Sequence, residues 1–313
     1  MIGRFAHDLG VPDRCNQCQP TPCCSPRDAH SMLVRMISIA SSAMLVASCH
    51  EGVLDPHGPV GKAERVILYD STVIMLAVVI PVIVLTLVFA WWFRAKNKRA
   101  QYRPDWEYSG RIEMIVWSIP ALVILFLGGI AWTGSHDLDP SQELKDSAAP
   151  LDIEVISLDW RWLFIYPNEG IASLNRLVVP SGVPLRFRLT STTVMNSFFL
   201  PQLGSQIYTM PGMISRLNLK ADQTGTFQGL SAQFSGDGFS DMRFDLVSVR
   251  ADEFKEWVTS TKIHGGLLDA TTFTDLAKPA KAENPQTYAE VTEGLFDSIS
   301  SSHTAANPLP QGN

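Results

Sequence analysis

Two long apolar runs without a charged residue constrain this chain more than any other feature of its sequence. The first covers residues 72–93 and the second covers residues 114–134. An α-helix rises about 1.5 Å per residue, so roughly 20 apolar residues match the ~30 Å hydrocarbon core of a bilayer. We therefore predict two transmembrane helices that form a hairpin over residues 72–134. The alternative, a buried helix of a soluble protein, seldom extends so far without a charge.

The loop between the runs predicts the orientation of the hairpin. It is rich in Lys and Arg, and short loops of this kind stay on the cytoplasmic side of the membrane. Both outer flanks are acidic instead, so we expect both ends of the chain on the periplasmic side of a bacterial plasma membrane. The basic loop residues are Arg94, Lys96, Lys98, Arg99, Arg103 and Arg111.

A shorter hydrophobic segment at residues 32–48 resembles the signal of a bacterial lipoprotein. It contains a basic residue, Arg35, then an apolar stretch and small residues directly before Cys49. Cleavage before Cys49 would leave a thiol that can carry a diacylglycerol, and acyl chains such as palmitate would anchor residues 49–71 at the outer leaflet. An ordinary signal peptide with an incidental cysteine is the alternative.

The segment before this signal contains four cysteines within a short stretch. Zinc binding is one explanation, but an adjacent Cys-Cys pair strains a tetrahedral site and no second Cys-x-x-Cys follows. We instead expect residues 1–48 to be a signal peptide with a mis-assigned extension, translation starting at Met32 or Met36. The four cysteines are Cys15, Cys18, Cys23 and Cys24.

Residues 135–250 are predicted to form an all-β domain outside the membrane. Short stretches of alternating apolar and polar residues are separated by turn residues such as Pro180-Ser181-Gly182. This pattern is typical of a β-sandwich or Greek-key barrel. In one stretch the alternation places Leu185, Phe187 and Leu189 in the core, and the arginines between them are expected to face water.

The last part of the chain, residues 251–313, is predicted to be a short helical region and a tail. Phe254, Trp257 and Val258 occur at helical spacing, which indicates a surface helix packed on the barrel. The residues from Ser301 onwards are expected to be disordered.

The outer domain lacks the side chains that most metal and nucleophilic sites require. Between Asp137 and Ile263 there is neither Cys nor His, which removes the usual ligands of copper, haem and zinc and the base of a Ser nucleophile. Asp237 and Asp241 are interpreted as a solvated loop. A net charge of −6 without a basic face argues against a nucleic-acid partner. Four methionines are interpreted as core residues: Met195, Met210, Met213 and Met242.

Three segments carry a resemblance to a known family. They are DWRWLFIYP at residues 159–167, VMNSFFLPQLGSQIYTMPGM at residues 194–213 and FSGDGFSDMRF at residues 234–244. Together with two spans after a lipobox, they resemble subunit II of haem-copper terminal oxidases from about Cys49 to the C-terminus. Within that family the chain is most similar to subunit II of cytochrome bo-type ubiquinol oxidases. The resemblance implies a cupredoxin-like Greek-key barrel for the outer domain.

The resemblance also implies that the outer domain has lost a metal site. In cytochrome c oxidase subunit II, the barrel holds a binuclear copper centre through two Cys, two His, a Met and a Glu carbonyl. Only the methionine is kept here, and one thioether with neutral hydroxyls cannot hold a copper pair. The glutamate, also a magnesium ligand in that family, is replaced by glutamine. The matching positions are Asn196 and Phe239 for His, Ser231 and Ser235 for Cys, Gln233 for Glu, and Met242.

The implied function is that of a structural and assembly subunit in a proton-pumping ubiquinol:oxygen oxidoreductase. We expect no catalytic residue, metal or redox cofactor in this chain. The haems, the copper and the ubiquinol site are expected in subunit I, with subunits III and IV as further partners. Cytochrome c is not expected to bind, so Trp160, which matches the aromatic residue where cytochrome c donates electrons, is interpreted as packing.

The resemblance implies that one acid of this chain takes part in proton uptake by the complex. Glu113 lies at the cytoplasmic start of the second span and matches the family acid at the mouth of a proton channel into subunit I. Such an acid can collect protons from bulk water. The alternative is a carboxylate that reaches the membrane interface beside Arg111.

Two other functions are alternatives to this interpretation. A copper-bearing subunit II of cytochrome c oxidase would bind two copper ions in its outer domain. A membrane-tethered binding module with a cupredoxin-like barrel would purify as a lone polypeptide, whereas an oxidase subunit co-purifies with a large haem protein.

Overall fold

A computed structural model describes residues 52–101, 104–105, 107–280 and 284–306. The predicted signal segment, the four N-terminal cysteines and Cys49 therefore lie outside the described residues. The described chain consists of two long helices, a β-rich domain made of two sheets, and a C-terminal region that packs on those sheets.

The two apolar runs form the predicted helices, α1 (Pro59–Trp92) and α2 (Gly110–Asp137). Both are long and apolar enough to cross a membrane, and the rest of the described chain covers neither apolar stretch. The helices approach each other where Gly134 faces Ile67, because a Cβ added at Gly134 would lie 2.8 Å from the Ile67 Cδ1 atom. The helical hairpin is thus confirmed.

The predicted tether over residues 49–71 is partly helical, because α1 begins at Pro59 rather than at the start of the apolar run. Proline suits the first turn of a helix, where its missing N–H would have no helical partner. Helix α1 therefore extends beyond the apolar run into the predicted tether.

The start of α1 is attached to the β domain. The Gly61 N–H donates to the Leu203 carbonyl at 2.9 Å, and the His57 N–H donates to Gln202 at 2.7 Å. A Cβ at Gly58 would lie 2.4 Å from the Lys220 carbonyl oxygen, so only glycine permits this close approach. These contacts hold the domain at the outer end of the hairpin.

Twelve strands form the two sheets of the described chain. They are β1 (Leu151–Ser157), β2 (Trp162–Tyr166), β3 (Ile171–Leu174), β4 (Arg176–Pro180), β5 (Pro184–Ser191), β6 (Asn196–Phe199), β7 (Ile207–Thr209), β8 (Ser215–Lys220), β9 (Gly225–Ser231), β10 (Arg243–Val249), β11 (Gly266–Leu268) and β12 (Gln286–Val291). The seven-stranded sheet has the order β11-β12-β3-β2-β1-β5-β8, and the five-stranded sheet has the order β4-β10-β9-β6-β7. Non-consecutive neighbours, such as the parallel pair β1 and β5, require the crossover connections of a Greek-key domain.

Aromatic side chains fill the core between the two sheets. The rings of Phe198 and Phe244 stack with centroids 5.1 Å apart, and Trp162 meets both edge-on at 5.3 and 5.7 Å. Such pairs contribute about 0.5–1.5 kcal/mol beyond the burial of their area. The core therefore joins strands that are distant in sequence.

The alternation predicted for β5 is confirmed. Leu185, Phe187 and Leu189 are buried. The two arginines lie on the other face, but they form ion pairs rather than facing water alone. Arg186 Nε donates to the Asp152 carboxylate at 2.5 Å, and Arg188 Nη1 donates to Glu154 at 2.7 Å, because the parallel register places these residues side by side.

The predicted C-terminal helical region is confirmed, and two strands accompany its helices. It contains α3 (Ala251–His264), α4 (Ala270–Leu276) and α5 (Leu295–Ala306), but also β11 and β12. Strand β12 pairs with β3 and extends the seven-stranded sheet, since the edge of β3 offers unpaired backbone groups. Helix α5 continues through Ala306 into the predicted tail.

A second core lies on the opposite face of the seven-stranded sheet. Leu295, Phe296 and Ile299 of α5 cover apolar residues of β1 and β2, including Ile156 and Leu163. The C-terminal region therefore forms a third layer, which covers this face of the sheet at β1, β2 and β3.

Candidate functional site

The predicted site residues gather at one end of the β domain, which we call the loop end. The loop end consists of residues 157–161, 192–196, 209–214 and 231–242. Strand registers place these segments together, because Asn196 pairs with Thr209 and Phe198 pairs with Ser231. The membrane helices attach at the opposite end, near Leu203.

The Asn196 amide lies at the centre of a buried polar group. Its Nδ2 atom donates to Ser157 Oγ at 3.2 Å and to the Val194 carbonyl at 3.3 Å, and its Oδ1 accepts from Ser231 Oγ at 3.4 Å. Ser157 Oγ lies 3.0 Å from Thr209 Oγ1. Asn196 is only 1% exposed. The residue at the position of a histidine ligand is thus fully engaged in hydrogen bonds to its neighbours.

The Ser231 hydroxyl joins this group to the loop after β9. Its oxygen lies 3.3 Å from the Gln233 carbonyl, so the hydroxyl proton is shared between that carbonyl and Asn196. The Ser231 N–H donates to the Met242 carbonyl at 3.1 Å, and the Met242 side chain is buried. The structure therefore brings Asn196, Ser231, Gln233 and Met242 together, as the resemblance implies.

Ser235 and Phe239 lie in the same loop but contact other groups. Trp160 Nε1 donates to the Ser235 carbonyl at 3.0 Å. The Ser235 hydroxyl is buried and has no hydrogen-bond partner within the described ranges. The Phe239 ring meets Phe234 edge-on at 5.6 Å. Neither side chain presents a donor that suits a transition metal.

Trp160 packs directly against this loop. Its backbone has φ +64°, a left-handed conformation that a bulky residue seldom adopts. A Cβ added at Gly238 would lie 2.3 Å from Trp160 Cδ2, so the indole ring lies flat against glycine backbone. The ring therefore covers the loop that follows β9.

The chemistry of these donors does not fit a binuclear copper centre. Copper in such a site requires soft thiolates and imidazoles, and neutral hydroxyl, amide and phenyl groups neither charge nor soften the site. The hydroxyl of Ser231 and the amide of Asn196 bind each other rather than a shared point. Within the part of the chain that the structure describes, no group of three or more His, Cys, Asp or Glu could hold a metal.

Glu113 lies far from the loop end, in the first turn of α2. Its side chain is exposed, and its N–H donates to the Ser109 carbonyl at 3.0 Å. A carboxylate is favoured at a helix N-terminus by the helix dipole. The structure does not bring Glu113 and the six loop-end positions together, since the barrel attaches near the other end of the hairpin.

Two features of the loop end were missed or misjudged from the sequence. Ser157 and Thr209 complete the polar group, but single polar residues at strand ends carry no sequence signal. Met195 and Met213 are exposed rather than in the core, at 38% and 52%. They lie in loops, where no facing sheet can cover them. Asp237 and Asp241 are exposed, as predicted for a solvated loop.

Family models match two parts of this chain. Residues 167–249 match the model described as cytochrome c oxidase subunit II, periplasmic domain. Residues 262–302 match the model described as the COX aromatic rich motif, which corresponds to the strands and helices that form the third layer. The cupredoxin-like fold predicted for the outer domain is confirmed.

Known relatives match most of the chain. It is 45% identical over 266 residues to the cytochrome bo(3) ubiquinol oxidase subunit 2 of Pseudomonas aeruginosa, covering 85% of this chain and 80% of that protein. It is 48% identical over 262 residues to the ubiquinol oxidase subunit 2 of Acetobacter aceti, covering 83% and 85%. Among solved structures, the periplasmic domain of subunit II of cytochrome oxidase (CoxB) of Bradyrhizobium japonicum is 27% identical, covers 37% of this chain and 96% of that chain, and has a TM-score of 0.35. The chain therefore belongs to the ubiquinol oxidase subunit 2 family, within the wider family of subunit II of haem-copper terminal oxidases.

Proposed function

We propose that this chain is the second subunit of a proton-pumping ubiquinol:oxygen oxidoreductase and that its outer domain carries no redox centre. The observation that carries this proposal is the buried bond between the Asn196 amide and the Ser231 hydroxyl, at two positions where copper-bearing relatives have ligands. A domain without soft donors cannot relay electrons from a water-soluble protein. The electrons must enter the complex by another route.

That route is the lipid phase. Ubiquinol is apolar and dissolves in the membrane, so it can deliver electrons directly to the haem-bearing subunit. In this proposal the haems, the copper and the quinol site belong to subunit I, and oxygen is reduced there. The present chain contributes its helical hairpin and its outer domain to the assembly of the complex, with subunits III and IV as further partners.

Purification of the complex from membranes in mild detergent tests this function. We expect the chain to co-purify with a haem protein that takes up oxygen when supplied with quinol. Purification as a lone polypeptide would instead support an independent binding module.

Loop-end variants test the absence of a redox centre in the same preparation. Met242→Leu and Ser231→Ala are expected to leave the copper content of the complex unchanged, because these residues hold no metal. A loss of copper in either variant, or the spin signal of a mixed-valence copper pair in the unaltered complex, would contradict the proposal.

The surface that contacts the partner subunits is proposed to be the loop end. Large apolar side chains are exposed there, with Phe234 at 71%, Met213 at 52% and Val194 at 44%. Exposed apolar side chains grouped on one surface mark protein contacts. Since the chain belongs to a subunit family, the occupant we infer is the haem-bearing subunit.

Membrane attachment is proposed to include a lipid on Cys49. The apolar helices fit an inner-membrane subunit, and we propose that both ends of the chain lie on the periplasmic side. Intact-mass measurement of the mature protein tests the lipid: an acyl increment on Cys49 is expected, and its absence would refute lipidation.

Glu113 is proposed to collect protons at the cytoplasmic mouth of a channel into subunit I. Its carboxylate is exposed in the first turn of α2, beside a loop of basic residues. An exposed acid at this place can exchange protons with bulk water and pass them to a water chain.

A further inference from the structure

A chain of buried hydrogen bonds crosses between the two sheets at the loop end. Ser157 is the last residue of β1 in the seven-stranded sheet, whereas Asn196 begins β6 and Ser231 ends β9 in the five-stranded sheet. These three side chains are 0%, 1% and 2% exposed. The Ser157–Asn196 bond therefore crosses between the sheets, and the Asn196–Ser231 bond extends the chain to the neighbouring strand β9.

The Asn196 amide is suited to this position because it both donates and accepts. Its side-chain Nδ2 atom donates to Ser157 Oγ, and its side-chain Oδ1 atom accepts a hydrogen bond from the Ser231 hydroxyl. Thr209 completes the group. Its Oγ1 atom lies 3.0 Å from Ser157 Oγ and 3.4 Å from the main-chain carbonyl oxygen of Asn196. A satisfied buried network stiffens its surroundings, whereas a partly satisfied one is costly, because each unpaired polar group remains desolvated.

The network also holds the loops that bear the exposed apolar side chains. Asn196 donates to the Val194 carbonyl, and Ser231 contacts the Gln233 carbonyl. Two backbone hydrogen bonds also attach these loops to the strands. The Thr192 N–H donates to the Ser157 carbonyl and the Ala232 N–H donates to the Ser197 carbonyl, each at 3.0 Å. The central amide therefore bonds to one loop directly and is connected to the other through Ser231.

We propose that Asn196 is the positioning residue of a metal-free clasp, formed by Ser157, Asn196, Thr209 and Ser231, that joins the two sheets and holds the loop end. The clasp occupies the position at which copper-bearing relatives hold their metal, and this inference rests on the proposed absence of copper here. Its role is to keep the loops at residues 192–195 and 232–241 in one conformation without a metal cross-link.

The test uses hydrogen exchange on the purified complex in detergent. In Asn196→Leu, which has a similar volume but no amide, exchange of the Thr192 and Ala232 N–H groups is expected to accelerate at least tenfold. Exchange within α3, which lies outside the clasp, is expected to stay unchanged. Unaltered exchange at both loops would overturn the proposal.

A double-mutant cycle separates a connected clasp from general loosening of the core. The Ser157 and Ser231 hydroxyls are connected only through Asn196. The effects of Ser157→Ala and Ser231→Ala on exchange are therefore expected to be non-additive. In the Asn196→Leu background, both substitutions should change the exchange rates of the loops very little. Fully additive effects, or effects that persist in that background, would contradict a connected clasp.

Ser248→Ala provides the matched control. Ser248 is also a buried serine in a strand, but its hydroxyl has no hydrogen-bond partner among the residues described. Its removal is expected to leave loop exchange unchanged, and faster exchange in this control would remove the specificity of the clasp. Copper content and quinol-driven oxygen uptake of the unaltered complex report separately on the proposed function, so the two proposals can fail independently.

Discussion

At the scale of single residues, glycine decides how closely Trp160 can pack on the loop after β9. Gly238 has ordinary backbone angles, φ −94° and ψ 6°, so its role is to leave space rather than to adopt a special conformation. Gly238→Ala would place a methyl group 2.3 Å from Trp160 Cδ2. The ring or the loop must then move, which we expect to cost about 1–3 kcal/mol of unfolding free energy.

Thermal unfolding monitored by tryptophan fluorescence measures this cost. Gly266→Ala is the control, because its added Cβ would make ordinary contact 3.6 Å from Tyr288 Cδ1. Equal stability of the two variants would show that Trp160 does not press on Gly238.

A second residue, Asp269, caps the short helix α4. Its carboxylate accepts the Thr272 N–H at 2.8 Å and the Thr271 hydroxyl at 2.7 Å. The backbone bond from Thr272 is the main cause that lowers the pKa of Asp269 to about 2. Because this pKa lies below the unfolded value of about 3.9, the ionised cap stabilises the fold above that value and loses its effect as pH falls towards 2.

Asp269→Asn tests this pH dependence, since asparagine keeps the cap but not the charge. Unfolding midpoints of the two proteins are expected to differ at pH 5 and to converge as the pH falls towards 2. Asp275→Asn removes a charge from the same helix as a control. A constant difference across this pH range would contradict the interpretation.

At the scale of elements, α5 covers part of the second face of the seven-stranded sheet. Phe296 is 1% exposed in that core, and the Arg188 guanidinium lies over its ring at 4.8 Å. Phe296→Ala would leave a cavity beneath the helix. We expect a loss of about 3–5 kcal/mol in unfolding free energy, as for other buried aromatic residues.

Chemical denaturation of the purified chain in detergent measures the effect of Phe296→Ala. Phe234→Ala, at an exposed position in the loop end, is expected to change the stability far less. Similar losses for the two variants would mean that α5 is not an integral layer of the domain.

At the scale of the whole molecule, the exposed loop end is expected to decide assembly. Phe234→Glu would place a charge in the proposed contact with the haem-bearing subunit, so less haem should be recovered per chain after purification. Leu267→Glu is the control, since Leu267 is 52% exposed on β11, outside the loop end. Equal haem recovery in both variants would place the contact elsewhere.

Proton uptake is the other property of the whole complex that one residue of this chain can alter. Glu113→Ala is expected to lower quinol-driven turnover of the assembled complex because the channel mouth loses its proton-collecting carboxylate. Glu107→Ala, which removes an exposed acid from the loop before α2, should leave turnover unchanged. Unchanged turnover in Glu113→Ala would remove its proposed role.

Much of the architecture could be predicted from the sequence because it depends on local patterns. The helical hairpin follows from the length of its apolar runs, and the buried face of β5 follows from alternation at Leu185, Phe187 and Leu189. The strands β11 and β12 could not be predicted, because β12 forms by pairing with the edge of β3 and β11 forms by pairing with β12. The exposure of Met195 and Met213 likewise depends on which loops remain uncovered.

What the sequence by itself determined is the composition of the site, because the resemblance of its motifs to a known family identifies the six positions at the loop end. Only the tertiary structure decided that Asn196 connects Ser157 to Ser231, and that Trp160 covers the glycine loop. The physical reason is that hydrogen bonds and ring packing act between residues brought together by folding. The positions of these residues in the sequence do not show which of them will be in contact.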